Sequence, residues 1–437
     1  MTASTLLLYI SLFLGSQVLL GLAFFLLRKR VSAPTALVAV GTQQPPHPSA
    51  AWSGLRAFRV ARRAYEDAAQ TQCSFYLEPV DGLALPDYKP GQFLTFTLVL
   101  PAAPGAATRT LTRCYSLSDS PTPHQYRVTI KRVVAPAEPA GVADGAASSF
   151  FHDHVHAGNT LQVRAPGGHF YLDADSATPV VLIAGGIGIT PMMSMLRWCA
   201  QHQPQRLVTL FYGVRNSAEQ AYKAALEDMA GQLPQLRLQV VYSRPLPGDT
   251  LGVDYQHPGH VDLALLKQTL PHGTHQFYIC GPTAMLESLV PGLSAWGVAS
   301  ADIHFEAFGP ASVRLPAGDA KVQGAVADQA IAVHFQRSGR TLTWTGKQSN
   351  LLDFAEAHGI QVESGCRSGS CGSCVSTLVS GAVDYDRAPD YDLAPGQCLL
   401  CVGKPRAPLA LDPRTPSDPS SSRARSFPLR GRLPRWC

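Results

Sequence analysis

The stretch that most constrains this chain is "CRSGSCGSC", residues 366–374, in which three cysteines are spaced by four and then two residues. So many thiols on one short loop suit a backbone that wraps a small iron–sulfur cluster with thiolate ligands, and C-x4-C-x2-C asks for a fourth ligand well downstream. Cys398 and Cys401 are both candidates for that place. Gly365, Gly369 and Gly372 let the backbone turn so that its N–H groups face sulfur. Zinc pairs read differently, as C-x2-4-C in two separated halves.

Near the N-terminus lies "LLLYISLFLGSQVLLGLAFFLL", residues 6–27, uncharged and with Gln17 as its one strongly polar side chain. At about 1.5 Å per residue it reaches roughly 33 Å, enough to cross a hydrocarbon core of about 30 Å. A cleaved export signal wants positive charge ahead of a shorter apolar run. Here "MTAST" is uncharged and "RKR" follows the run. The positive-inside rule then places the rest of the chain in the cytoplasm, as a single-pass protein of a bacterial inner membrane. In that compartment ten cysteines point to metal or redox chemistry sooner than to structural disulfides. A net charge of +5 is too modest to suggest a nucleic-acid partner.

A length of 437 residues leaves room for about three globular domains. Residues 1–30 are read as a transmembrane anchor and 31–54, rich in proline and small residues, as a linker. Apolar alternation in "SFYLEPV" and "QFLTFTLVL", broken by glycine and proline, predicts a strand-rich domain over 55–175. From 176 to 310, beginning with "PVVLIAGGIGITPMMSMLRWCA", strand and helix signals alternate, which predicts a doubly wound α/β sheet. Residues 311–329 read as a second linker and 330–412 as a compact unit. The tail, 413–437, holds six arginines and one acid among prolines and serines, the composition of a disordered basic segment able to help hold an anionic membrane.

The last unit, with a hairpin at "IAVHFQRSGRTLTWT" and a short helix at "SNLLDFAEAHGI" ahead of the cysteine loop, resembles the plant-type ferredoxin fold, an α+β beta-grasp domain. In that family the final ligand sits in L-x-C with a proline nearby. "LLCVGKP" matches at Cys401, with 26 residues between it and Cys374. The resemblance thus implies Cys366, Cys371, Cys374 and Cys401 as ligands of a 2Fe-2S cluster, with Cys398 a bystander.

"RCYSLSDSP" resembles the R-x-Y-S flavin motif of the ferredoxin-NADP reductase superfamily, and "KPGQF", "VTIKRV", "GAASSFFHDHV" and "PGGHF" stand in that superfamily's order. The resemblance implies an antiparallel beta-barrel that holds FAD. Arg113 would neutralise flavin phosphate, Tyr115 would lie on the ring and Ser116 near its reactive nitrogen. The segment of Ser148 and Ser149 would hold the pyrophosphate. In "AGGIGITPM" the glycines Gly185, Gly186 and Gly188 directly follow a strand, where they let a dinucleotide approach the backbone. By resemblance, Thr190 and the turn Cys280-Gly281-Pro282 lie by the nicotinamide of NADH or NADPH, and "HFEAFG" falls where relatives place an aromatic or acidic residue near the flavin. "YSRP" lies near where NADPH-using relatives grip a 2'-phosphate, and the choice of nucleotide stays open. "HDHVH" puts His152, His154 and His156 at alternate positions, which could bind a metal on one strand face; the match to the flavin-phosphate segment already explains the location, so a solvated or phosphate-side cluster is the reading preferred.

The expected chain is therefore multidomain: a transmembrane helix, a flavin barrel, a nucleotide domain and a ferredoxin domain, in the order of bacterial oxygenase reductases. That resemblance implies passage of electrons from NAD(P)H through FAD and the cluster to a protein acceptor such as a monooxygenase, hydroxylase or desaturase. A membrane NADH:quinone-type reductase is an alternative, though in the sodium-pumping enzyme the ferredoxin domain precedes the flavin domain. A redox sensor or scaffold without turnover is another.

Overall fold

The computed structural model describes residues 51–52, 54–101, 109–135, 144–308, 330–367, 369, 371–385, 389, 391 and 393–413, which belong to one compact unit. The expected span at 1–30, nearly all of the first linker, the second linker at 311–329 and the tail beyond 413 lie outside them. Among the described residues no helix is long and apolar enough to cross a membrane.

Six strands, β1 (Arg56–Tyr65), β2 (Gln72–Pro79), β3 (Phe93–Leu100), β4 (Arg109–Ser116), β5 (Tyr126–Lys131) and β6 (Thr160–Gly167), lie in the order β4-β3-β6-β1-β2-β5. Every pairing is antiparallel. Period-two alternation turns Phe58 and Val60, Phe75 and Leu77, and Leu94, Phe96 and Leu98 into one core. Just past β4 the chain bonds back to β5, through a bridge between Leu117 and Val128 and the Ser118 N–H donating to Arg127 O at 2.9 Å. The sheet closes as a barrel. Trp52 packs on it, with its ring 5.7 Å from that of Phe58 and Nε1 donating to Val163 O at 3.3 Å, so side chains of the expected linker already serve the barrel core.

Helix α1 (Ala146–His154) plugs one end, because Ala147 and Phe151 fall one helical turn apart and are both buried. The Phe151 ring meets Phe75 at 5.2 Å, Phe96 at 5.4 Å and Tyr115 at 5.2 Å, all edge-on. The strand face that the metal alternative for these histidines would need does not form. His152 and His154 are helical, where residues two apart point about 200° from each other. His152 Nε2 lies 2.9 Å from Ile130 O and His156 Nε2 3.2 Å from Asp153 O, so two of the three rings already serve backbone carbonyls.

The second sheet is parallel, in the order β10-β9-β8-β7-β11-β12. Its strands are β7 (Val180–Gly185), β8 (Val208–Val214), β9 (Leu236–Tyr242), β10 (His257–Pro258), β11 (Gln276–Gly281) and β12 (Ile303–Ala307). Helices α2 (Ile189–His202) and α3 (Lys223–Gln232) cover one face, α4 (Leu263–Thr269) and α5 (Thr283–Ala295) the other. β7 and β11 are buried at every position, the reason they read as unbroken apolar runs. Strand order reverses between these two, and ligands bind beyond the carboxyl ends of strands at such a point.

The third module is a mixed sheet in the order β14-β13-β19-β15-β17, with a short ribbon of β16 and β18. Its strands are β13 (Ile331–Phe335), β14 (Arg340–Trp344), β15 (Val375–Ser380), β16 (Val383–Tyr385), β17 (Gln397–Leu399), β18 (Gly403–Pro405) and β19 (Leu409–Pro413). β13 runs parallel to β19, while β14, β15 and β17 pair antiparallel with their neighbours. Helix α6 (Leu351–Ala357) is started by Asn350, whose side chain accepts from the Asp353 N–H at 2.9 Å. It buries Leu351, Leu352, Phe354 and Ala355 against Phe335 and Trp344.

Candidate functional site

The glycine turn after β7 lies against the end of β11. A Cβ on Gly188 would stand 2.1 Å from Cys280 O, and one on Gly185 would stand 2.6 Å from Pro282 Cδ. Gly186 takes a left-handed φ of +55° with open space before its absent side chain, so backbone is exposed where a phosphate can approach. Thr190 is buried, and its hydroxyl donates to Ile187 O at 3.0 Å, which closes the turn. The turn Cys280-Gly281-Pro282 is brought beside the glycines because β7 and β11 are register partners, with Ala184 opposite Cys280. "YSRP" lies beyond β9, where the Arg244 N–H donates to Arg215 O at 2.8 Å and Arg215 pairs with Glu219 at 3.0 Å.

On the barrel, Tyr115 and Ser116 end β4. Tyr115 packs edge-on against Phe96 and Phe151, and burial pushes its phenol well above the ordinary range. Arg113 donates to Thr112 O at 2.7 Å. Ser148 is occupied by the fold: its hydroxyl donates to Gly145 O at 2.8 Å and accepts from the Val133 N–H at 3.1 Å. Ser149 Oγ, by contrast, is buried with no hydrogen-bond partner. An orphaned hydroxyl on the barrel plug itself fits a phosphate that would complete it.

Glu306, on β12, joins the two modules. It lies opposite Cys280 in register and near Ser116, while its Oε2 is buried without a partner. Burial, reinforced by the nearby Cys366 sulfur and offset by Ser116, pushes this carboxyl up to about 8. Ser116, Glu306 and Cys280 thus line the seam between barrel and nucleotide sheet, and the unsatisfied carboxyl fits a polar ring edge. Two residues earlier, His304 stacks on Tyr278 at 4.6 Å, and its Nε2 is likewise buried without a partner.

The cysteine loop gathers its thiols in two pairs. The Cys366 N–H donates to Cys371 Sγ at 3.2 Å and the Cys371 N–H to Cys366 Sγ at 3.3 Å. The Cys401 N–H donates to Cys374 Sγ at 3.4 Å. The Cys374 thiol beside it, and then burial, drive the Cys401 thiol far above the ordinary range, as expected of thiolates that need positive charge between them. Among the described residues no three ligands converge on a single ion. Two pairs are what a two-iron cluster takes, with two thiolates per iron. Gly369 and Gly372 adopt φ of +82° and +74°. Gly365 serves by close approach, since a Cβ there would lie 2.9 Å from Cys371 Sγ. Cys398 sits in β17 opposite Ser376, buried in the module's core, and burial pushes its thiol up to about 12.

Sequence reasoning missed Cys114 and gave Glu306 only as part of "HFEAFG". The Cys114 thiol lies within hydrogen-bonding reach of Cys366 and Cys371, so the cysteine loop rests on the strand that carries Tyr115 and Ser116. The acid within "HFEAFG" was the one signal in the sequence for Glu306.

A barrel with a flavin-type motif, a dinucleotide turn at a switch point and a thiol-lined loop in a grasp-type fold define a three-module oxidoreductase. The model of the Oxidoreductase NAD-binding domain family matches residues 182–290, and that of the 2Fe-2S iron-sulfur cluster binding domain matches residues 333–406. A flavohemoprotein of Rhizobium meliloti (strain 1021) is 38% identical over 260 residues, 59% of this chain and 62% of that protein. The flavohem-like FAD/NAD binding domain of nitric oxide dioxygenase from Vibrio cholerae O1 biovar El Tor is 32% identical, with a TM-score of 0.51, over 59% of this chain and 100% of that one. An intact type IV self-sufficient cytochrome P450 monooxygenase, 24% identical with a TM-score of 0.52, shares the fold over 82% of this chain and 41% of its own. The chain spans about 62% of the length of that flavohemoprotein. Over the shared stretch it belongs to the flavohem-like FAD/NAD-binding domain family. The protein is an oxidoreductase with FAD- and NAD-binding domains followed by a 2Fe-2S domain.

Proposed function

We propose that this chain takes electrons from NADH or NADPH and delivers them singly to a protein acceptor such as a monooxygenase, hydroxylase or desaturase. When bound, the nicotinamide supplies two electrons as a hydride, FAD converts them to single electrons, and a 2Fe-2S cluster passes these on. The observation that carries this reading is the seat of the cysteine loop: Cys366 and Cys371 lie against Cys114, next in sequence to Tyr115, and Cys366 also lies near Glu306.

The residues divide the work. The glycines Gly185, Gly186 and Gly188, with Thr190, Gly281 and Pro282, hold the dinucleotide; Arg113 and Ser149 meet flavin phosphates, with Ser148 fixing the segment of Ser149. Tyr115 packs on the flavin ring. Ser116, Glu306 and Cys280 orient the ring edge and the nicotinamide, and keep water from the seam. Cys366, Cys371, Cys374 and Cys401 hold the cluster. An oxygenase-type acceptor is favoured by the fold shared with the self-sufficient P450 monooxygenase. The uncharged run at 6–27 followed by "RKR" supports an anchored protein with its redox modules in the cytoplasm, retained on membranes after a high-salt wash.

The test compares the full chain with its Cys401→Ser variant under NADH or NADPH. Flavin bleaching should persist in the variant, whereas reduction of cytochrome c should fall at least tenfold. Undiminished cytochrome c reduction would take the cluster off the path.

A further inference from the structure

Cys114 occupies the variable position of R-x-Y-S. Strand alternation decides which way it faces. On β3, Leu94, Phe96 and Leu98 fill the barrel core, so Thr95 between them faces outward. It is nevertheless only 2% exposed. Register pairs Thr95 with Cys114 on one side and with Arg164 on the other, so the three form one outward row across β4, β3 and β6. The ferredoxin module covers that row. The Arg164 guanidinium lies 5.4 Å from the centroid of the Tyr391 ring, that ring lies against Gly372 in the cysteine loop, and the Cys114 thiol reaches Cys366 and Cys371. Thr95 Oγ1 stands 3.3 Å from Cys114 Sγ and fixes where the thiol points.

We propose that Cys114 is a positioning residue for the 2Fe-2S cluster: its S–H donates a hydrogen bond to the Cys371 sulfur and raises the reduction potential of the cluster. This rests on the assignment of Cys366, Cys371, Cys374 and Cys401 as ligands. A cysteine outside those four keeps a hydrogen to donate. Ligand sulfur carries more negative charge in the reduced form, so a donor aimed at it stabilises that form over the oxidised one. The motif position next to the flavin-contacting Tyr115 thereby acts on the acceptor side of the same transfer.

The test is a redox titration of the full chain, loaded with flavin and cluster, as wild type, Cys114→Ala and Cys114→Ser. The reduced cluster is followed by its paramagnetic resonance and the flavin by its absorbance. Alanine should shift the cluster's oxidised-to-reduced ratio about tenfold toward oxidised at a fixed potential, a midpoint about 59 mV lower for one electron. Iron content and the flavin midpoint should not change. Serine, which keeps a donor, should stay within about threefold of wild type. Equal midpoints in wild type and Cys114→Ala overturn the proposal. So does loss of iron from a folded, flavin-loaded Cys114→Ala, which would make Cys114 a ligand. Where alanine disturbs the barrel, Thr95→Val decides: freeing the thiol should lower the midpoint in the same direction, and no shift overturns the hydrogen bond. A wild-type chain with no reduced-cluster signal would overturn the ligand assignment itself, an outcome distinct from an intact signal with an unmoved midpoint.

Discussion

Substituting Gly188 by alanine tests the nucleotide turn through shape alone. The new Cβ would stand 2.1 Å from Cys280 O, 2.5 Å from Cys280 C and 3.0 Å from Gly281 N. All three atoms are backbone of β11, which is bonded to β7 on one side and β12 on the other. No side-chain rotation relieves the contact, so turn and strand must part by about 1 Å. Overpacking typically costs about 1–3 kcal/mol, and rigid backbone at the centre of a sheet puts this change at the upper end, about 3 kcal/mol. Gly186 is the control within the same turn. Its Cβ would meet nothing within 4 Å, so alanine there costs only the left-handed conformation, about 1–2 kcal/mol. With a urea slope of about 2 kcal/mol per molar, the unfolding midpoint should fall by about 1.5 M for Gly188→Ala and by about 0.5–1 M for Gly186→Ala. Fluorescence of Trp198, on α2 directly after the turn, reports the transition. A Gly188→Ala chain that unfolds at the wild-type urea concentration, or two variants equally weakened, would refute the reasoning.

Three further outcomes are expected. Cys401→Ser should abolish or strongly weaken the 2Fe-2S absorption and the paramagnetic signal of the reduced protein, whereas Cys398→Ser, away from the paired thiols, should keep both; the reverse pattern would exchange their roles. Glu306 holds its proton up to about 8 in the folded state against an ordinary 4.5, so the folded chain binds more protons between those values and stability falls as pH rises, by up to about 1.4 kcal/mol per unit. In Glu306→Gln the gap in urea midpoints between pH 5 and pH 8 should shrink, and an unchanged gap would remove Glu306 as its source. Arg164→Ala deletes a guanidinium lying 5.4 Å from the Tyr391 ring, a contact worth about 0.5–1 kcal/mol. Amide hydrogen exchange around Gly372 should quicken roughly two- to fivefold while β1 is unaffected, and no change there would argue against this contact as a clamp.

Legibility followed sequence distance. The thiol loop could be read directly because three of its proposed ligands are neighbours in sequence, and the glycine turn because strand, turn and helix adjoin. The barrel showed in its alternation. Glu306 and Cys114 could not be placed that way, since each gains its meaning from another module: Cys280 stands beside Glu306 within the second sheet, but Ser116 reaches it only when that sheet packs against the barrel. "HDHVH" left a strand-face alternative open because period two and a short helix are hard to separate over five residues, and Phe151 one turn from Ala147 decided for the helix. Hydroxyl roles were equally hidden, for Ser148 and Thr190 spend their donors on neighbouring carbonyls while the adjacent Ser149 does not.

The pleat of β4 sets how fast its two sides can communicate. Cys114 faces the cysteine loop while Tyr115 packs toward Phe96 and Phe151, and the two are separated by one residue of extended chain, about 3.4 Å along the strand. Under the proposed assignment, a flavin against Tyr115 and a cluster on the thiols would be joined through this one strand, and passage between them would need no swinging arm. Internal transfer in such an arrangement should be indifferent to solvent viscosity, leaving the encounter with the external acceptor as the step that thickened solvent slows.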